Sequence, residues 1–177
     1  MAAAPLTTLE LFLLTLIGQG LNTPYQLKAT AGLSVGATLP ALNRLKERKL
    51  LQRAEVAARN KQEFEVTPLG KTIMISETKR LLAEAKTTPL TDTESALRLA
   101  ALAFFNKKRD AAASLLESAG ESRLQSTRTK GQVLAKISTA DLPSLYRSLS
   151  ETCEAARLQA EGHTLVALAA KFKKTKI

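Results

Sequence analysis

The densest run of chemically capable side chains lies between Ser34 and Lys61. Seven bases stand there, Arg44, Lys46, Arg48, Lys49, Arg53, Arg59 and Lys61, against two acids, Glu47 and Glu55. Their net of +5 is half of the chain's +10. Cations clustered in this way suit a polyanion, because each phosphate they neutralise releases a counterion. The small residues Ser34, Gly36 and Ala37 let the backbone come close to base edges. Thr38 and Asn43 can bond base edges or phosphates, and Arg44 a guanine or a phosphate. Arg59-Asn60-Lys61 is a second basic point, with reason to touch phosphate. Blander readings stand beside these. Arg59 to Lys61 is also a polar turn, and Lys46, Arg48 and Lys49 also suit the solvated end of a helix, where base complements the dipole.

The remaining chemistry is sparse. One cysteine, Cys153, excludes a disulfide within the chain and a thiolate metal cluster. One histidine, His163, removes most imidazole catalysis and zinc chemistry. There is no phosphate loop, no Ser-His-Asp set and no metal-ligand spacing. Glu63 and Glu65 share a strand face but read as surface acids beside Lys61. Cys153 reads as a small buried or interfacial residue and His163 as a satisfied surface or interface residue. The expectation is binding without catalysis: not an enzyme, no cofactor and no metal.

Positioning such groups needs a scaffold. The chain has 177 residues, 45% hydrophobic but only 4% aromatic with no Trp, so its core must be aliphatic. Abundant Ala and Leu favour helix. A pI of about 9.9 points towards nucleic acid or an anionic surface. No stretch reaches the roughly 18 apolar residues of a membrane span. Met1-Ala2-Ala3-Ala4-Pro5 lacks a basic leader region, so the expected location is cytoplasmic.

Helix punctuation is clear along the first half. Thr7 with Glu10 is a capping box opening a helix that Gly18 and Gly20 end. Thr23 with Pro24 and Gln26 opens a short second helix, stopped at Gly32. Ser34 caps a third, in which Leu39, Leu42 and Leu45 read as one core stripe and Pro40 sits early enough to be tolerated. Residues 50–56 and 62–66 read as two strands around a hairpin loop at 57–61. Thr67-Pro68 then starts a helix running to about Lys86. Thr87-Thr88-Pro89 marks a boundary between a domain at 1–88 and a helical domain at 89–177. In the second, Thr91 with Glu94 reads as a capping box, with Ala96, Leu97, Ala100, Ala101 and Phe104 as the apolar face. A segment from about Asp110 to Leu134 is weakened by Gly120 and Gly131. Asp141 starts a last helix, ending in a frayed basic tail from Lys171 to Lys176.

The expected fold class is therefore mainly α (α+β). The order helix, short helix, helix, hairpin, helix is that of a winged helix-turn-helix, whose third helix enters the major groove while the hairpin, or wing, reaches neighbouring phosphates. Residues Leu9 to Ile75 resemble the N-terminal domain of PadR-like transcriptional regulators. The resemblance is carried by Thr8-Leu9-Glu10-Leu11-Phe12-Leu13-Leu14, by Thr23-Pro24-Tyr25-Gln26-Leu27-Lys28, by Gly36-Ala37-Thr38-Leu39-Pro40-Ala41-Leu42-Asn43-Arg44-Leu45, and by Thr67-Pro68-Leu69-Gly70, in order and at matching spacing. Leu39 stands where the family usually has Tyr, Pro24 where Gly is common, and Lys49 where many members have Gly.

The resemblance implies DNA contacts at Tyr25 and Lys28 on the bracing helix and at Thr38, Pro40 and Arg44 on the reading helix. With Ser34, Asn43 and the wing tip Arg59, Asn60 and Lys61, these form the expected DNA-binding set. It also implies a C-terminal helical region that builds a homodimer, and a two-fold dimer places two reading helices one or more DNA turns apart, roughly 34–36 Å for adjacent major grooves, on a pseudo-palindromic operator. A small aromatic effector is a further implied partner, and Phe104, Phe105, Tyr146 and Phe172 could line its pocket or simply pack the core. The expected function is a sequence-specific DNA-binding transcriptional regulator, a ligand-responsive homodimeric repressor. The alternatives are a winged-helix protein–protein interaction module and a non-specific nucleic-acid binder.

Overall fold

Three short helices open the chain, each delimited by its own polar residues. The computed structural model describes residues 4–54, 63–87, 90, 92–134 and 142–174, with side chains except at 86, 129–134 and 142–151. The structure is mainly helical with a small two-stranded antiparallel sheet. Packing divides it into two units, Met1–Glu84 and Ala85–Ile177.

In the first unit, α1 (Thr8–Gly18), α2 (Pro24–Ala31) and α3 (Val35–Glu47) are capped by Thr7, Thr23 and Ser34. Thr7 and Thr23 each form the complete reciprocal box, with Glu10 and Gln26. Gly32 closes α2 in the left-handed conformation at φ 67°, which any other residue would adopt only under strain. Strand β1 (Leu51–Arg53) pairs with β2 (Phe64–Val66) in the register Leu51↔Val66. The Phe64 N–H also donates to the Asn22 carbonyl at 2.8 Å, tying the α1–α2 connection to the sheet. The expected hairpin loop at 57–61 lies outside the described residues. Helix α4 (Pro68–Thr87) starts where Thr67 accepts the Gly70 N–H at 3.0 Å. A Cβ on Gly70 would sit 2.3 Å from the Leu50 carbonyl oxygen, so only glycine fits there.

The core of this unit is aliphatic, with Phe64 its one buried aromatic. Leu13, Leu14, Leu27, Ala41, Leu42, Leu45 and Leu51 are its fully covered members. On α3 the buried row is Thr38, Ala41, Leu42 and Leu45, and Leu39 is 38% exposed. The expected stripe through Leu39 is therefore corrected. Steps of three residues drift off a 3.6-residue helix, and Thr38 is the position that stays in phase with Leu42 and Leu45.

The second unit contains α5 (Thr93–Phe105), α6 (Arg109–Leu134) and α7 (Leu142–Lys174). The cap of α5 is Asp92, whose carboxylate accepts the Ser95 N–H at 2.8 Å, rather than the expected Thr91. Its buried face is Ala96, Leu99, Ala100, Leu102 and Ala103, whereas Leu97 and Ala101, expected inside, are exposed. Gly120 does not interrupt α6, which runs unbroken through it. It lies where α6 and α7 cross, and a Cβ there would come 2.8 Å from the Gly162 carbonyl oxygen. A Cβ on Gly162 would in turn meet the Gly120 carbonyl at 3.0 Å. Cys153 is exposed rather than buried. The basic tail is helical through Lys174, with Phe172 stacked on Phe104.

Candidate nucleic-acid interface

Helix α3 is two-sided. While Thr38, Ala41, Leu42 and Leu45 face the core, Gly36, Pro40 and Asn43 follow one another at helical spacing along the exposed side. Ser34 is exposed at the helix start, and its hydroxyl accepts the Ala37 N–H at 3.4 Å. On α2, Tyr25 is 79% exposed in the first turn and Lys28 is exposed one turn later. These five expected contacts, Tyr25, Lys28, Ser34, Pro40 and Asn43, thus lie open on two helices packed against each other. Pro40 lacks an N–H, and the α-helix runs through it unbroken.

Thr38 does not join them. It is 1% exposed and its hydroxyl donates to the Ser34 carbonyl at 2.7 Å. Its methyl fills the core, and its one donor is already engaged, so it positions the helix rather than touching a ligand. Arg59, Asn60 and Lys61 lie outside the described residues.

Arg44 occupies an intermediate place. Its side chain is 52% exposed, yet its Nε donates to Glu10 Oε1 at 2.7 Å. Glu10 is almost completely buried and holds two elements at once. Its Oε2 accepts the Thr7 N–H at 2.9 Å to cap α1, while Oε1 holds α3 through Arg44. Burial alone would raise the Glu10 pKa. The Thr7 backbone and the Arg44 guanidinium outweigh it and keep the carboxyl below its ordinary value. The pairing of Glu10 with Arg44 has no local signature, since the two are 34 residues apart. The available hint was that a capping glutamate uses one oxygen and leaves the other free to bond.

The surroundings are basic. Lys46, Lys49 and Arg53 are exposed after the α3 outer row, with Glu47 and, across the sheet from Gln52, Glu65 as the exposed acids among them. Lys49 holds a left-handed backbone at φ 60° and ends α3. Its N–H donates to the Lys46 carbonyl at 2.9 Å and the Leu50 N–H to the Leu45 carbonyl at 2.9 Å. This is the two-bond helix stop that glycine usually completes. Chemically, the arrangement offers a helix surface that a duplex groove can accommodate, small residues and an amide for close reading, and flanking point charges for phosphate.

Of the residues considered for an aromatic effector, Phe104 and Phe172 stack on each other with centroids 4.6 Å apart. Phe105 is 61% exposed, and the Tyr146 side chain lies outside the described set. Among the described residues, no group of three or more His, Cys, Asp or Glu is arranged to hold a metal, and no helix is long and apolar enough to cross a membrane. No protein-family model matches the chain, and no curated protein is significantly similar to it.

Proposed function

We propose that the N-terminal unit is a winged helix-turn-helix and that the chain is a sequence-specific DNA-binding transcriptional regulator. The observation that carries this reading is the two-sided α3: a buried row locks it to α1 and the sheet, and its open row of Gly36, Pro40 and Asn43 is flanked by cations. In the proposed mechanism α2 braces across a phosphate strand through Lys28, with Tyr25 beside it. Helix α3 enters the major groove, and Asn43 reads a base edge. Arg44 exchanges Glu10 for a phosphate or a guanine. The wing tip, Arg59 to Lys61, reaches the neighbouring backbone. Resemblance to PadR-like regulators supports a homodimeric repressor on a paired operator, with a small aromatic effector shifting the dimer geometry.

Selection of bound sequences from a random DNA pool tests it. An inverted repeat is the expected product, and Asn43→Ala relaxes the preference at one position per half-site. Recovery of unselected sequence overturns the reading. A protein–protein module is the second reading, and exposure of Tyr25, Val35 and Leu39 on the same two helices favours it.

A further inference from the structure

Most of the positive excess lies in the second unit. Residues 85–177 carry fifteen bases and nine acids, a net of +6. Six of those bases gather at one end of the helical unit. Lys107 and Lys108 lie in the turn between α5 and α6, Arg109 opens α6, and Lys171, Lys173 and Lys174 end α7. Two contacts bring the groups together. Phe104, at the end of α5, stacks on Phe172 of α7, and Lys173 Nζ donates to Glu117 on α6 at 2.8 Å. The turn itself is pinned. The Lys107 N–H donates to the Phe104 carbonyl and the Lys108 N–H to the Ala103 carbonyl, both at 2.9 Å. Residues 107–111 wall an open hollow of about 560 Å³. The acids at this end are Asp110 and Glu117, and Glu117 is engaged by Lys173. Lys107, Lys108, Lys171 and Lys174 are exposed.

We propose that this end of the helical unit is a second, sequence-blind contact for duplex DNA, binding the phosphate backbone. Five of the six cations are lysines, which neutralise phosphate as point charges and lack the planar fork that reads a guanine. Their frame is fixed by the ring pair and the turn, so little ordering is needed on binding. A bilayer-surface helix would show base along one flank and a continuous apolar stripe along the other. Here the cations cap helix ends, Leu158, Leu165 and Ala169 of α7 are buried within the unit, and Phe105 is a single large apolar side chain exposed beside the turn rather than part of a stripe. That favours a phosphate strand over a lipid surface. The proposal rests on the DNA-binding reading above only in taking duplex DNA as the polyanion.

The test uses the full chain with an arbitrary-sequence duplex across a salt series. Lys107→Gln, Lys108→Gln and Lys174→Gln together lower the slope of log affinity against log salt by about two to three units. They leave the thermal melt and the sequence selected from a random pool unchanged. An unchanged slope overturns the proposal. Should the triple variant melt early, Lys107→Gly with Lys174→Gln serves instead, since glycine suits the left-handed position at 107. The expected fall is then about one to two units. Binding to phosphatidylserine–phosphatidylcholine vesicles that the variant loses, with the duplex slope intact, also overturns it in favour of lipid. A pool that yields no preferred sequence while the slope still falls removes the operator reading and supports this contact. An inverted repeat with an unchanged slope does the reverse.

Discussion

In the N-terminal unit, leucines from three short helices interlock over a small sheet, and each helix is delimited by its own Thr, Ser or Gly. In the helical unit, two helices of 26 and 33 residues meet at Gly120 and Gly162, beside Leu124 and Val166, at a crossing too close for any Cβ at 120 or 162. The polar fastenings differ in the same sense. Glu10 serves a local cap and one distant arginine. Arg123 on α6 is buried and donates to Thr93 Oγ1 on α5 at 2.8 Å, with Glu161 of α7 at 3.4 Å. The first unit is specified largely by local signals with side-chain packing added. The second is specified by how near its helices can come.

The largest expected effect exploits that contrast. Gly120→Ala adds a Cβ 2.8 Å from a backbone oxygen, which cannot swing aside. It costs about 2 kcal/mol net, since overpacking outweighs the gain in helix propensity. Gly120→Val costs more. Gly36→Ala, on the open face of α3 with nothing within 4 Å, is neutral or stabilises by about 0.5 kcal/mol. Thermal melts of both alanine variants check the pair, and a harmless Gly120→Ala would erase the distinction between the units.

A somewhat smaller effect separates the two fastenings. Arg123→Met strips Thr93 and Glu161 of a buried partner and costs about 2 kcal/mol. Glu10→Gln retains a capping side chain but loses the charge opposite Arg44, for about 1 kcal/mol at neutral pH. Because the folded Glu10 holds its proton more weakly than its ordinary 4.5, its contribution is complete above that value. It drains away as pH falls through the lower, folded pKa. The gap between wild type and Glu10→Gln in a melting series from pH 7 to pH 3 should therefore narrow on acidification. A gap that widens would contradict the depressed pKa.

What the sequence revealed follows the same division. Thr7 and Thr23 were readable as caps from residue type and the three-residue spacing to Glu10 and Gln26, Ser34 from its type, and Thr67 from the proline that follows it. At α5 two overlapping signals competed, Thr91 with Glu94 and Asp92 with Ser95, and the carboxylate took the cap. Residue type misled at Thr38 and Leu39, where helical phase, not hydrophobicity, decides which is buried. Of the expected contact set, Tyr25, Lys28, Ser34, Pro40 and Asn43 are open to solvent, Thr38 is interior and Arg44 is shared with Glu10. The gathering of Lys107 with Lys174 was illegible, because only the return of α7 along α6 brings residues so far apart in sequence to one end.

Helix stops are where the two units should behave alike, which makes them the finest check on the contrast. Three helices end with the same pair of backbone bonds, closed by Gly20 after α1, Lys49 after α3 and Lys107 after α5. The left-handed backbone costs glycine little and costs a lysine about 1–2 kcal/mol. Glycine gives back about 0.5–1 kcal/mol through its freer unfolded chain. Lys49→Gly and Lys107→Gly should therefore each stabilise by about 0.5–1 kcal/mol, or a rise in melting temperature of about 2–6 °C. Neither ammonium enters that comparison, so Lys49→Gln and Lys107→Gln should leave the melt nearly unchanged. Equal gains at 49 and 107 would show that the units differ in how helices meet and not in how they end. A gain at 49 with a loss at 107 would instead mean that the basic turn is held by its side chain, and the contrast would extend to the loops.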